Sequence, residues 1–253
     1  MEDRAGTGMT PPPSRIQRIL ASDFLFDFRR APLAMLAASI VAFLFLVALL
    51  APLVAPTNPF DPASLNLMNG STPPMPANMF TGESFVMGTD DQGRDLISAI
   101  IYGLRVSLFV GVMSVLLAMG LGVSLGLLAG YVGGWIDNLI MRVADIQLTF
   151  PSILIAMLIF GVMRGIIPPD LRDEMAIFVL ITAIGLSEWV PFARTVRATT
   201  LVEKEKEYVQ AARLIGLRRT QIMWRHILPN VIGPVLVIAT ITLALAIIAE
   251  ATL

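Results

Sequence analysis

The chain has 253 residues, of which 56% are hydrophobic and 15% are charged. Ordinary soluble domains have about 45–50% apolar and about 25% charged residues, so the composition favours a membrane protein. The formal net charge of −1 argues against a nucleic-acid-binding protein, whose surface needs a net basic stripe. The chain has no cysteine and a single histidine, His226, so no metal site and no cofactor are predicted.

The N-terminal part of the chain predicts four successive segments. Residues 1–13 are rich in proline and charge, which is typical of a disordered tail. Residues 14–30 alternate apolar and arginine side chains at helical spacing, which predicts an amphipathic helix at the membrane interface. Residues 31–56 are uncharged over about 25 positions and predict a first, uncleaved transmembrane helix. Residues 57–103 are proline-rich and predict a loop, with a short helix at 94–103.

The rest of the chain, residues 104–253, predicts a membrane core domain. Apolar stretches at about 104–130, 139–161, 176–192 and 231–253 give four further crossings. The fold class is therefore all-α, a polytopic membrane helical bundle with five visible spans. Most Lys and Arg residues fall on one side of these spans, and only Arg94, Arg105, Arg164 and Arg172 fall on the other. The positive-inside rule then predicts a cytoplasmic N-terminus and an external loop at 57–103.

Three glycines in the second predicted span, Gly122, Gly126 and Gly130, recur every four residues and share one helix face. A face without side chains lets another helix approach closely, so the pattern predicts a packing seam within the subunit. A hinge in a transport path is the alternative.

Two carboxylates, Glu188 and Glu250, lie near or within apolar spans, where a charge costs about 3 kcal/mol at mid-membrane. Glu188 is close to Arg194 and is predicted to lie at a solvated helix end. For Glu250 two interpretations stay open, a buried inter-helix hydrogen bond and a polar position in a transport path.

No catalytic machinery is predicted for this chain. The only lysines, Lys204 and Lys206, lie in an acidic run and not after a glycine-rich turn, so a P-loop is absent. His226 has no orienting partner visible in the sequence, and an acid–base role for it is not expected.

The segment at 203–230 is predicted to be a cytoplasmic helix–Gly–helix. Gly216 suits a left-handed helix C-cap, and Pro229 is expected to end the second helix. The small side chains of Ala211 and Ala212 are expected to let the first helix lie in a groove of another protein.

The motif Gln210-Ala-Ala-Arg-Leu-Ile-Gly216, followed by His226-Ile-Leu-Pro229, resembles the EAA loop of permease subunits of bacterial ABC importers. Further segments resemble the dipeptide/oligopeptide/nickel branch of that family in the right order: Gly88-Thr-Asp-Asp-Gln-Gly-Arg-Asp95, Gly130-Tyr-Val-Gly-Gly-Trp-Ile-Asp137, Phe150-Pro-Ser152 and Ala249-Glu-Ala-Thr-Leu253.

The resemblance implies a type I importer permease in the bacterial inner membrane that imports a di- or oligopeptide or a related small solute. Its implied partners are a second homologous permease, two ATP-binding cassette ATPases and an external solute-binding protein. The implied ATPase-coupling residues are Glu207, Tyr208, Gln210, Ala211, Ala212, Arg213, Leu214, Gly216 and Pro229. The implied residues on the binding-protein side are Asp90, Gly93, Arg94 and Asp95.

The chain departs from the family pattern in two respects. Gln210 stands where the motif usually has Glu, which is expected to weaken any charge-dependent contact with the ATPase. The family usually has six spans and continues with a loop and another membrane helix, so the end at Leu253 after five spans predicts a truncated chain. Two other function classes remain as alternatives: a secondary transporter or channel that works without an ATPase, and a membrane assembly subunit without a path.

Overall fold

The computed structural model describes residues 28–61 and 65–253. This part of the chain is mostly helical, and its one extended pairing is an isolated bridge between Thr89 and Asp95. The predicted tail at 1–13 and most of the predicted interfacial helix at 14–30 lie outside the described residues. The helices are α1 (Pro32–Leu49), α2 (Ala51–Val54), α3 (Leu96–Val132), α4 (Gly134–Leu148), α5 (Ser152–Ile166), α6 (Arg172–Ser187), α7 (Trp189–Glu203), α8 (Glu207–Leu214), α9 (Arg219–Ile222) and α10 (Leu228–Glu250). The all-α prediction is confirmed.

The chain divides into two compact units, Met1–Ile101 and Tyr102–Leu253. Among the residues that the structure describes, three helical stretches are long and apolar enough to cross a membrane: Pro32–Leu49, Leu96–Val132 and Arg219–Glu250. Two bent pairs also qualify, α4 with α5 at 96° and Pro169–Ser187 with α7 at 41°. The count of candidate spans reaches the predicted five when each bent pair is one span.

The third predicted span, 139–161, is wrong as a continuous helix because it breaks between α4 and α5. Pro151 has no N–H to donate, and it disfavours helical backbone at the preceding Phe150. Pro151 instead precedes the first turn of α5, where a missing donor does no harm.

The fourth predicted span, 176–192, also breaks, at Glu188 between α6 and α7. Pro191 cannot donate to the carbonyl of Ser187 four residues earlier, and its ring would clash there in a regular helix. The Gln147 side-chain amide donates to the carbonyl oxygens of Leu186 at 3.1 Å and of Ser187 at 2.9 Å. A polar side chain from α4 thus satisfies the backbone groups that the break exposes.

Pro229 does not end a helix, contrary to expectation. The chain runs from α9 through a π-helical turn, Met223–Ile227, directly into α10, giving 32 continuous helical residues from Arg219 to Glu250. The Leu228 N–H bonds to the Met223 carbonyl five residues back. This wider turn places Pro229 at the start of α10, where its missing donor is tolerated.

The predicted short helix at 94–103 is not separate from the second span. It is the beginning of the 37-residue α3.

The core of the C-terminal unit is organised around a backbone contact between α3 and α7. A Cβ atom built on Gly122 or on Gly126 would lie 2.5 Å from a carbonyl oxygen, that of Trp189 or of Ala193 respectively. One on Gly130 would lie 2.9 Å from the Arg197 carbonyl oxygen. The glycine face therefore allows α7 to approach closer than any side chain would permit.

We predict that Gly126→Ala weakens this contact, because the added methyl group meets backbone atoms that cannot move aside. The expected loss of stability is about 1–3 kcal/mol, measured by detergent-induced unfolding of the purified protein. Gly120→Ala is the matched control, since nothing lies within 4 Å of its added Cβ. Equal stability of the two variants would contradict the close contact.

Candidate functional site

The short helix α8 is attached to the core of the C-terminal unit by one of its faces. Val209 and Ala212 are buried in the same apolar cluster as Leu127, Ile222 and Ile227. Glu207 in the first turn and Arg213 in the last turn complement the helix dipole. The expectation that Ala212 faces a partner is therefore wrong: this side chain is 4% exposed and packs inside its own chain.

The other face of α8 and the turn after it expose apolar side chains. Leu214 is 88% exposed and Ile215 is 75% exposed. Gln210 and Ala211 are also exposed. Large apolar side chains presented side by side in an otherwise charged segment are typical of a protein interaction surface. We call this surface, formed by Gln210, Ala211, Leu214 and Ile215, the outer face of α8.

Gly216 ends α8 in a left-handed conformation, with φ of +79°. The Gly216 N–H bonds to the Arg213 carbonyl at 3.0 Å, and the Leu217 N–H bonds to the Ala212 carbonyl at 3.2 Å. These two bonds form a Schellman motif, which requires positive φ and so favours glycine. The turn fixes the direction in which the chain continues towards α9.

A hydrogen-bond network joins α8 to the helices on either side of it. The Tyr208 hydroxyl donates to the Glu203 carboxylate at 2.6 Å and accepts from the Asn230 amide at 3.0 Å. Partial burial, together with the bond to Glu203, raises the pKa of Tyr208 to about 12, so the phenol keeps its proton at physiological pH. The Asn230 amide also donates to the His226 carbonyl at 2.8 Å, in the turn that contains Pro229. His226 thus enters this network through its backbone.

Two basic residues connect the same region to the end of α3. The Lys204 ammonium donates to the Gly130 carbonyl at 3.0 Å, and the Arg213 guanidinium lies 5.4 Å from the centre of the Tyr131 ring. Cations at a helix C-terminus are favourable, and an arginine over an aromatic ring adds a cation–π contact. α8 is therefore attached to α3, α7 and α10 together.

The side chain of Gln210 has a role that glutamate lacks. Its amide nitrogen donates to the Glu205 carbonyl at 2.9 Å, just before α8 begins. A carboxylate cannot donate this bond. Compared with the glutamate that is usual in this motif, Gln210 lacks a charge but makes a hydrogen bond that closes the turn before α8.

The residues predicted for a binding-protein contact hold together the loop that contains them. The Asp90 carboxylate accepts from the backbone N–H groups of Gln92 at 2.9 Å and of Arg94 at 2.8 Å. It also accepts from the Arg94 guanidinium at 2.9 Å. Gly93 has φ of +79°, and a Cβ there would clash with the Asn66 carbonyl oxygen. Asp95 is buried and accepts from the amide and hydroxyl of Ser98 at the start of α3. Arg94 and Asp95 also line a cavity of about 550 Å³.

The two carboxylates predicted near apolar spans have different surroundings. The Ser107 hydroxyl donates to the Glu250 carboxylate at 2.7 Å, which is an inter-helix bond between α3 and α10. Glu188 lies at the break between α6 and α7 and has Ser152 as a hydrogen-bond partner. The expected neighbour of Glu188, Arg194, pairs with Asp145 instead.

Sequence reasoning missed the polar contacts between α4 and α7. Arg197 binds Asp137 through two bonds, at 2.5 and 2.7 Å, and the Trp189 indole donates to the Gln147 side chain at 2.8 Å. These partners are about 40–60 positions apart in the chain. Periodicity within one helix cannot indicate such pairs, although opposite charges in two adjacent apolar segments are a weak signal for them.

Comparison with known proteins agrees with this architecture. The family model described as "Binding-protein-dependent transport system inner membrane component" matches residues 122–253, more than half of the chain. The chain belongs to this family. A second model, "N-terminal TM domain of oligopeptide transport permease C", matches residues 20–74 of this permease. The predicted family is confirmed. The chain is a membrane-embedded permease subunit of a transport system, and not an enzyme.

Individual relatives of the permease cover most of its length. The oligopeptide transport system permease protein OppC of Bacillus subtilis (strain 168) is 33% identical over 92% of this chain and 70% of the relative. The dipeptide transport system permease protein DppC of Alkalihalophilus pseudofirmus is 35% identical over 97% of this chain and 76% of the relative. The glutathione transport system permease protein GsiD of Escherichia coli O157:H7 is 37% identical over 91% and 70% respectively.

We predict that Asp90→Asn lowers the stability of the loop around it by about 1 kcal/mol, because the Arg94 guanidinium and two backbone N–H groups lose an anionic acceptor. Burial opposes the charge, but the amides of Arg94 and Gln92 and the Arg94 guanidinium together lower the pKa of Asp90 below its ordinary 3.8. The stabilisation is therefore present above pH 3.8 and is lost as the pH falls through the lowered pKa.

The measurement is the denaturant midpoint of the purified protein, followed by hydrogen exchange in peptides that cover the loop. Asp91→Asn, at the exposed neighbouring carboxylate, is the matched control and should behave as the unchanged protein does. A difference between Asp90→Asn and the unchanged protein that persists at a pH well below 3.8 would refute the proposed cause.

Proposed function

We propose that this permease is the membrane subunit of an ATP-driven importer, and that ATPase subunits dock on the outer face of α8. The observation that carries the proposal is the two-sided construction of α8. Leu214 and Ile215 are exposed, whereas Val209 and Ala212 are buried in the core. A surface built in this way can bind a partner and pass the partner's movement to the helices behind it.

The path for cargo lies, in this proposal, between the permease and a second homologous permease. ATPase closure moves α8, and α8 carries with it the ends of α3, α7 and α10 through the contacts of Arg213 with Tyr131 and of Tyr208 with Glu203 and Asn230. Reorientation of these spans about a central path gives alternating access. An external solute-binding protein delivers the cargo on the side opposite to α8.

We place the permease in the bacterial inner membrane with a cytoplasmic N-terminus. This orientation is supported by the basic residues around α8 and by the scarcity of basic residues in the loop at 57–103. The names of the relatives refer to oligopeptide, dipeptide and glutathione transport, which supports a di- or oligopeptide or a related small solute as cargo.

A secondary transporter or channel is the alternative function. Such a protein needs ionisable pairs or broken helices around a mid-membrane site. The breaks at Pro151 and Glu188 are compatible with it, but Glu250 is bonded to Ser107, and the exposed outer face of α8 has no role in such a mechanism. Dependence of uptake on ATP separates the two functions.

We predict that Leu214→Asp and Ile215→Asp reduce ATPase recovery with the purified permease and ATP-dependent uptake in vesicles by about tenfold or more. Each change places a charge in a contact that must be desolvated. Both side chains are exposed in the isolated permease, so insertion and pairing with the second permease should be unaffected.

Met79→Asp is the matched control, because Met79 is 99% exposed and lies in the other unit of the chain. It should leave ATPase recovery unchanged. Unchanged ATPase recovery in both α8 variants would overturn the assignment of the outer face of α8, and uptake that persists without ATPase subunits would favour the secondary transporter.

A further inference from the structure

A small basic cavity lies where α3 ends, beside α8. It has a volume of about 230 Å³ and is lined by Tyr131, Val132, Arg213 and Arg219. Arg213 comes from the last turn of α8 and Arg219 from the first turn of α9, so the Schellman turn at Gly216 brings the two guanidinium groups to one cavity. The outer face of α8 does not include either arginine.

The cavity has positive charge without a matching negative group. In the part of the chain that the structure describes, the ion pairs involve Arg94, Arg194, Arg197 and Lys206, and none involves Arg213 or Arg219. The Tyr131 ring holds the Arg213 guanidinium at 5.4 Å by a cation–π contact, which orients the group without neutralising it. Two arginines at one cavity suit a phosphate, whose oxygens accept paired N–H bonds from a guanidinium.

The position of the cavity indicates where that phosphate comes from. Val132 is the last residue of the long apolar helix α3, so the cavity lies where an apolar span gives way to charged residues. Trp135, at the start of α4, is 72% exposed, and Val132 is 41% exposed. Tryptophan beside a span end is typical of the headgroup region of a bilayer, and exposed apolar side chains there can contact acyl chains.

We propose that Arg213 and Arg219 bind the phosphate of an anionic phospholipid, whose acyl chains lie along Val132 and Trp135. Basic cavities at the ends of membrane helices are known sites for anionic headgroups. The lipid would occupy the space between the end of α3 and the α8–α9 turn. The proposal does not depend on ATPase docking, because it uses neither Leu214 nor Ile215.

The test uses the purified permease in nanodiscs of phosphatidylcholine with increasing phosphatidylglycerol, each lipid in turn carrying brominated acyl chains that quench tryptophan fluorescence. Brominated phosphatidylglycerol should quench the unchanged protein at lower mole fraction than brominated phosphatidylcholine. The Arg213→Gln/Arg219→Gln double variant should need about thirtyfold more phosphatidylglycerol for the same quenching, since each basic residue near an anionic headgroup contributes about fivefold.

The matched control is Arg218→Gln/Arg225→Gln, which removes two exposed arginines that do not line the cavity. It should keep the preference for phosphatidylglycerol. The Arg213→Lys/Arg219→Lys double variant keeps the charge but not the paired N–H bonds of the guanidinium, so its preference should lie between those of the unchanged protein and the glutamine variant, and it tests the proposal even if the glutamine variant fails to fold. Loss of the preference in the lysine variant, or an equal loss in the control, would overturn the proposal.

Two other results would assign the cavity to a different ligand. Competition by inorganic phosphate as effective as that by phosphatidylglycerol would make it a site for a small anion. A glutamine variant that keeps its lipid preference but loses ATPase recovery would make it a contact for an acidic protein surface. Either result overturns the lipid assignment.

Discussion

The close backbone contact between α3 and α7 is the constraint on which the rest of the C-terminal unit depends. Glycine at 122, 126 and 130 brings the two helices together, and the fully buried Leu127, Phe192 and Val196 fill the space beside the contact. Val209 and Ala212 of α8 belong to the same cluster. The position of α8 is therefore determined from within the membrane core, and a force applied to α8 acts on that core.

The membrane helices break or widen beside prolines, and at the break before α7 a polar side chain replaces the lost backbone partners. The break before α7 exposes the carbonyls of Leu186 and Ser187, and Gln147 donates to both. The break before α5 follows from Pro151, and the π-helical turn at Met223–Ile227 accommodates Pro229. Non-helical backbone at membrane depth requires partners of this kind, because lipid offers none. The spans are therefore bent, and at the break before α7 the exposed carbonyls still have hydrogen-bond partners.

The sequence alone was sufficient for the features that depend on local pattern. Hydropathy gives the apolar stretches, the four-residue spacing of Gly122, Gly126 and Gly130 gives one helix face, and Gly216 gives the left-handed turn after α8. It was insufficient where two distant segments meet. Ala212 faces the core because α9 and the π-helical turn pack against α8, which the pattern of α8 cannot reveal. The pairing of Arg197 with Asp137 likewise depends on tertiary packing. So does the π-helical turn that lets the helix continue through Pro229.

We infer that α8 and the core helices move as one body when the importer works. The chain has no cysteine, so spin labels at Glu207→Cys and Ser124→Cys, both exposed positions away from the outer face of α8, report a single distance between α8 and α3. The measurement is that distance in the assembled complex, in the absence of nucleotide and during ATP-dependent uptake. We expect the same distance distribution in both conditions, because α8 carries α3 with it. A shifted mean or a second population during uptake would show that α8 moves independently of the core and would contradict the account.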